Sequence, residues 1–220
     1  MTMEFQNQVS LEGCAASSPS FSHENHGTRF YRFPLCISRL SGQEDLLPVL
    51  VPESRCELVQ PGASLHLTGQ LRSYNNPSGQ GRRLILSIFP LTLEAGSGGD
   101  QNQILLQGNL CKPPILRRTP LGRNICDLML AVPRPYGRTD YLPVIAWGQL
   151  AAEVSTLSVG DPLGLMGRVQ SRSYQKVTEH GVEERVAYEV SMMDRREEPF
   201  LSEETLNPLD SVAFTSSNPL

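Results

Sequence analysis

The sequence has none of the short signatures that mark catalytic or metal sites. There is no C-x-x-C pair, no G-x-x-x-x-G-K-[ST] phosphate loop, no G-x-S-x-G elbow and no H-E-x-x-H helix. The chemistries tied to those spacings therefore have nothing to stand on, and an enzyme is not expected. Histidine is scarce, with four residues at 23, 26, 66 and 180. His23 and His26 stand three apart in a polar stretch with no cysteine or acidic cluster at ligand spacing, so no metal is expected and no cofactor is implied. No apolar run approaches the length of a membrane span and no leader pattern opens the chain, which argues against a membrane partner. The five cysteines, at 14, 36, 56, 111 and 126, lie mostly in apolar strand-like runs; they read as buried reduced thiols and the chain as cytoplasmic. Helix-length apolar stripes are rare as well. Short Val, Ile and Leu runs recur instead between turn signals, punctuated by 18 Gly and 17 Pro, the pattern of an all-β chain.

What is present is a repeat. "NQVSLEG" at 7–13 matches "NQILLQG" at 102–108, and the same offset pairs Gly27 with Gly122, Arg39 with Arg134, and "LPV" at 47–49 with "LPV" at 142–144. After a three-residue shift "GASLHLTGQL" at 62–71 matches "GDPLGLMGRV" at 160–169, and "SY" at 73–74 is read onto "SY" at 173–174. The expected division is a first copy over 1–95, a Gly/Ser linker over 96–101, a second copy over 102–196 and a tail over 197–220. Each copy reads as five strands with a short helix after the third. In the second copy the strands fall near 102–112, 122–134, 140–147, 162–174 and 183–194. "QLAAEVSTL" supplies the helix, with Leu150, Val154 and Leu157 on one face and "VGD" as its stop. Five strands with a helix between the third and fourth predict two tandem OB-folds, small Greek-key barrels that bind oligonucleotides across one face.

The residues of the second copy carry a resemblance. "NQILLQGNL", "RRTPLGRNICDLMLAVPR", "LPVIAWGQLAAEV", "GDPLGLMGRVQSRSY" and "RVAYEVSMMD" stand in the order and near the spacing of the bacterial single-stranded DNA-binding protein family. Residues 102–194 resemble it well and residues 7–93 more weakly, mainly through the repeat. The resemblance implies OB-folds that wrap single-stranded DNA, with rings stacking on bases and cations meeting phosphates. Its ring positions fall on or near Tyr136, Tyr141, Trp147 and Tyr174. Stacking gives a physical reason for rings beside cations, because every base has a π-face and binding then tolerates any sequence.

Two readings of Trp147 compete: a core anchor at the end of an apolar strand, or a base-stacking surface. Alternation sets Val144 and Ala146 on one face and Ile145 and Trp147 on the other without saying which face is inside. Tyr174 lies in polar "QSRSYQK" between Arg172 and Lys176, as a strand-end ring beside a phosphate track would. Tyr136, between Pro135 and Gly137, is equally explained as turn chemistry. The first copy has Ser41, Leu46 and Pro52 where the second has Tyr136, Tyr141 and Trp147, and keeps Tyr74. In "TRFYRFPL", Tyr31 and Phe33 share one strand face and Phe30 and Arg32 the other, so one pair belongs to the core. The first copy thus reads as a degenerate partner surface, and the fusion as a pseudo-dimer whose own homodimer would hold four barrels.

Charge is unevenly spread. Residues 102–196 carry 12 Lys or Arg against 9 Asp or Glu, residues 1–101 carry 7 against 9, and residues 197–220 carry none against 5. The cations expected on DNA are Arg117, Arg118, Arg123, Arg134, Arg168, Arg172 and Lys176, with Lys112 and Arg138 as further candidates. The acidic, Pro-containing tail reads as disordered. Family members commonly end in an acidic tip with a terminal aromatic that recruits replication and repair proteins; this chain ends in "SSNPL", leaving "EEPFLSEE" as the internal candidate for that role. The function expected is sequence-tolerant single-stranded DNA binding in replication, recombination or repair, in a cytoplasmic, nucleoid-associated homo-oligomer. The competing readings are an OB-fold scaffold that mainly binds proteins and, more remotely, an RNA-binding protein.

Overall fold

The computed structural model describes residues 7–76, 84–134, 137–178 and 181–196, leaving Tyr136 and the 197–220 tail outside the described residues. The chain is mostly β, as expected. Its strands are β1 (Asn7–Ala15), β2 (Ser20–Asn25), β3 (Thr28–Ser38), β4 (Glu44–Pro52), β5 (Ser64–Asn75), β6 (Leu84–Ala95), β7 (Gln101–Leu110), β8 (Ile115–Arg118), β9 (Asn124–Pro133), β10 (Thr139–Trp147), β11 (Pro162–Thr178) and β12 (Gly181–Arg196). One helix, α1 (Gly148–Val154), follows β10, buries Ala151 and Val154, and packs Leu150 against the core. After β4 the matching stretch, Glu53–Leu58, is a 3-10 turn with no buried residue, because "ESRCEL" lacks the apolar spacing of "QLAAEV".

Strand pairing repeats between the two halves of the chain. Neighbours run β3-β4-β6-β5-β1, with β1 returning to β3 at Cys14↔Cys36, and β9-β10-β12-β11-β7, with β7 returning to β9 at Asn109↔Ala131. Each half is a closed ring of five strands. A short extra strand, β2 or β8, lies outside β3 or β9. Neither was expected from the sequence, because "SFSHEN" and "ILRR" show no buried alternation and pair only where a neighbouring edge is open.

Glycine makes ring closure possible. β1 gives one edge first to β7 and then to β3, and the change falls at Gly13, where a Cβ would stand 2.3 Å from the Cys36 carbonyl oxygen. β7 changes partner at Gly108, where a Cβ would stand 2.4 Å from the Ala131 oxygen. Only a residue without a side chain tolerates that approach of two backbones.

The rings join edge to edge through antiparallel β1 and β7, in which Val9 lies opposite Ile104. These two residues are equivalents in the repeat, and the flanking pairs Asn7↔Leu106 and Leu11↔Asn102 exchange under the same relation. An antiparallel pair centred on equivalent residues requires a local two-fold axis, the isologous contact of a homodimer built into one chain. Side chains obey the same axis. Asn7 bonds both backbone groups of Leu71 at 2.7 and 2.9 Å, and Asn102 does the same to Val169 at 2.7 and 2.9 Å. The Gly/Ser segment between β6 and β7 is tied down: the Ser97 hydroxyl donates to Glu12 at 2.7 Å and the Gly99 N–H at 3.2 Å. These bonds, the Ser97 hydroxyl first, hold the Glu12 carboxyl below its ordinary range.

The core lies inside the rings. β3 contributes Phe33, Leu35 and Ile37, and β10 contributes Leu142, Val144 and Ala146. Of the "TRFYRFPL" rings, Phe33 is the core residue, Tyr31 packs partly against it, and Phe30 faces outward. The cysteines correct one expectation: all five are free thiols, but only Cys126 is buried, while Cys14 is exposed and the other three are half-buried. Apolar flanks had suggested burial for residues whose alternate position faces outward. No helix among the described residues is long and apolar enough to cross a membrane.

Candidate nucleic-acid interface

Alternation along β10 places Val144 and Ala146 in the core, so Tyr141 and Trp147 face outward, while Ile145 on the same face is itself buried, at the base of a depression. Trp147, at the strand's end, is 40% exposed. Register extends the outer face across three strands, because Arg117 on β8 lies opposite Ile125 on β9, which lies opposite Trp147. From the other side, Arg168, Gln170 and Arg172 stand at alternate positions of β11 and line the same depression, of about 320 Å³. Four residues expected on DNA, Trp147, Arg117, Arg168 and Arg172, thus meet in one concavity. Arg39 and Gln43 of the first half close its rim.

Its cations are partly engaged already. Arg117 forks onto Asp127, with Nη2 donating to Oδ1 at 3.0 Å. Arg172 lies 3.9 Å from Glu189, which also accepts from Gln170 at 2.8 Å. Arg168 differs: its Nε is buried without a hydrogen-bond partner among the described residues, a donor poised for an anionic oxygen. Tyr174 stands two residues beyond Arg172 on the same β11 face, with the Arg172 guanidinium carbon 5.8 Å from its ring centroid. Lys176 takes the next alternate position of β11, opposite Glu183, and its side chain is not among those described.

Other expected residues lie elsewhere. Arg118 donates to Asn124 at 3.2 Å and Arg123 is exposed in the turn between β8 and β9, both away from the Trp147 concavity. Arg134 is half-buried beneath a second depression, its Nε 2.9 Å from Asp140 but off the line of a hydrogen bond, while Nη2 donates to the Ser73 carbonyl at 3.1 Å. Burial pushes its guanidinium pKa down. Its repeat equivalent Arg39 holds Asp45, with Nε donating at 2.7 Å.

Sequence reasoning passed over these two aspartates. Asp45 and Asp140 are fully buried and tie the halves together. Asp45 accepts from the Ser171 N–H at 2.7 Å, and Asp140 from the Ser73 N–H at 2.6 Å. Each serine hydroxyl then receives a backbone N–H, of Leu46 at 3.1 Å and Tyr141 at 2.7 Å. The signal was the repeat itself, since the two Asp stand at its offset. The same bonds correct an alignment: Ser73 corresponds to Ser171 and Tyr74 to Arg172, so "SY" at 73–74 does not answer "SY" at 173–174. Tyr74 is 47% exposed at the edge of the second depression and Tyr141 is 44% exposed beside it.

The first half carries rings at positions other than those expected from the second. Across β2, β3 and β4 the row His23, Phe30, Pro52 answers Arg117, Ile125, Trp147. The ring lost at Pro52 reappears one strand over. Phe30 stacks on His23 at 5.2 Å and 16°, and Phe89 of β6 lies 6.4 Å from Phe30. Among the described residues no group of three or more His, Cys, Asp or Glu is placed to hold a metal ion.

The chain is similar to known proteins over its second half and in its overall fold. The model of the single-strand binding protein family matches residues 101–194. The chain is 31% identical over 126 residues to a single-stranded DNA-binding protein of Clostridium tetani, covering 53% of this chain and 87% of that protein. It is 34% identical over 102 residues to single-stranded DNA-binding protein 3 of Clostridium acetobutylicum, covering 42% and 71%. A deletion mutant of the single-stranded DNA binding protein from Thermus aquaticus superposes with a TM-score of 0.67 at 26% identity, over 92% of this chain and all of that one.

Proposed function

Because the chain belongs to the single-strand binding protein family, we propose that it binds single-stranded DNA without sequence preference, stacking bases on outward rings and holding phosphates with guanidinium groups. Each five-stranded ring is read as an OB-fold, the first over 1–95 and the second over 102–196, with a short turn of helix after the strand that ends at Pro52 or Trp147. One observation carries the reading: Trp147 lies half-exposed in a concavity with Arg117, Arg168 and Arg172, the arrangement that stacking beside a phosphate track requires. Tyr174 and Lys176 extend the track along β11, and Tyr141 and Tyr74 extend it toward the first half. Protection of exposed strands in replication, recombination or repair is the process this activity serves. The test is titration of Trp147 fluorescence with oligo-dT and, in parallel, oligo-rU. Quenching that saturates with oligo-dT and weakens with salt is the expected result, and an unquenched Trp with no binding at low salt overturns it.

A second reading has its own support. The Arg117–Asp127 and Arg172–Glu189 pairs neutralise part of the track from within the protein, as in a scaffold that binds DNA weakly and mainly holds other proteins. A flat salt response favours it. A second copy of this chain is the proposed partner, through the outer edges at β2 and β8, giving a scattering mass of twice 24.3 kDa at micromolar concentration.

A further inference from the structure

The second depression is the local-axis counterpart of the Trp147 concavity. Ser73 stands for Ser171, Tyr74 for Arg172, Leu50 for Ile145 and Phe30 for Ile125, and its volume is larger, about 620 Å³ against 320 Å³. Its chemistry is inverted. Where the Trp147 concavity has one large ring and Arg168, this one has three rings, Phe30, Phe89 and Tyr74, with His23 stacked on the first. Register explains the exchange: on β6 Phe89 pairs with Gln70, and the equivalent pair on β12 and β11 is Ser191 with Arg168.

The cations here come from the other half of the chain. Arg134 and Arg138 cross from the segment between β9 and β10 and join Arg72 in the lining. Two of these guanidiniums share the one buried carboxylate, since Arg72 Nη1 and Arg134 both approach Asp140, and no ion pair engages the third, Arg138, among the described residues. Around the Trp147 concavity four guanidiniums, of Arg39, Arg117, Arg168 and Arg172, face three carboxylates, of Asp45, Asp127 and Glu189. The more cationic depression therefore belongs to the half with the more acidic sequence.

We infer that this depression is a second base-stacking site for single-stranded DNA, in which Phe30, Phe89 and Tyr74 of the first half take bases and Arg138 of the second half takes the adjoining phosphate. The inference rests on the proposed DNA binding and adds that both halves hold one strand, the first through rings at positions where the second half has none. Partly exposed rings, of which Tyr74 is 47% exposed, beside Arg138, which no carboxylate among the described residues pairs, are what an unpaired strand needs and what a folded partner protein, which brings carboxylates and apolar side chains, uses less fully.

The test uses the full chain and oligo-dT carrying 5-iodouracil, with cross-links mapped by mass spectrometry while Trp147 quenching reports the other concavity independently. Cross-links to peptides holding Phe30, Phe89 or Tyr74 are expected. The double change Phe30→Leu with Phe89→Leu, which keeps apolar bulk and removes the rings, should weaken binding by about five- to a hundredfold and shorten the length of poly-dT occluded per protomer, with Trp147 still quenched. Should that variant fold poorly, Arg138→Ala replaces an exposed side chain and should still lower affinity and the salt slope. Cross-links confined to the second half, with intact quenching and unchanged affinity in Arg138→Ala, overturn the inference and leave the DNA-binding reading standing. Absence of both quenching and cross-links overturns both.

Discussion

Trp147 and Phe33 show how the same chemical type serves two ends. Trp147→Ala should cost about 1–3 kcal/mol of single-stranded DNA binding, read by anisotropy of a labelled oligonucleotide, and leave the melting temperature nearly unchanged, since the ring faces outward. Phe33, fully buried, should behave oppositely: Phe33→Ala removes core contacts and leaves a cavity, costing about 3–5 kcal/mol of folding stability. Charged residues divide in the same way. Asp140 is buried under two guanidinium groups, and Asp140→Ala strands both, with an expected loss of about 3–5 kcal/mol in urea denaturation. Arg117 and Asp127 form a solvent-facing pair, so Arg117→Ala should change stability by less than about 1 kcal/mol while weakening DNA binding.

At the scale of elements, the device that decides whether the rings close is a single glycine in each of β1 and β7. Gly108→Ala would drive a methyl group against the Ala131 carbonyl, a backbone atom that cannot rotate away. About 1–3 kcal/mol of stability should be lost, with β7 and β9 losing amide protection first in hydrogen exchange. Gly122→Ala, in the turn between β8 and β9, is the informative control. Nothing lies within 4 Å of its Cβ, but its φ of +79° strains any side chain, so its cost is local and should leave the β7–β9 amides protected. The β11–β12 hairpin makes a different point: register pairs Ser171–Thr178 with Gly181–Tyr188, carrying Arg172 and Tyr174 along one continuous outer face.

For the whole molecule, the local two-fold axis makes each concavity a joint product of both halves. Arg39 and Gln43 reach one, and Arg134 and Arg138 reach the other. Binding should follow a straight line of log affinity against log salt, with a slope of about −0.7 per phosphate and roughly three to six phosphates engaged per protomer. Cations already paired inside the protein, such as Arg117, must exchange a carboxylate for a phosphate and contribute less than their number implies. A measured slope near zero would return the molecule to the scaffold reading.

Composition, repeat and alternation were enough to read a β-rich chain, the placement of its main strands, and an outward or inward choice at Trp147. These are local properties: period-2 patterning and turn residues act within a few positions, and a fixed offset survives in one dimension. Which choice held at Trp147 depended on Val144 and Ala146 finding the ring interior, a matter of how β10 packs and not of its own pattern. The same is true of β2 and β8, whose polar sequences become strands only beside an open edge. Charge counted along the chain assigned the cations to the second half, yet Arg134 and Arg138 line the first half's depression because the axis through β1 and β7 folds one half's loops onto the other's rings. Asp45 and Asp140 were visible as two residues at one offset. Their role was not, since a buried carboxylate is recognised by its donors, and those donors, Ser171 and Ser73, come from the opposite half. Tertiary structure decided these points because each depends on contacts between segments many residues apart, which no local pattern encodes.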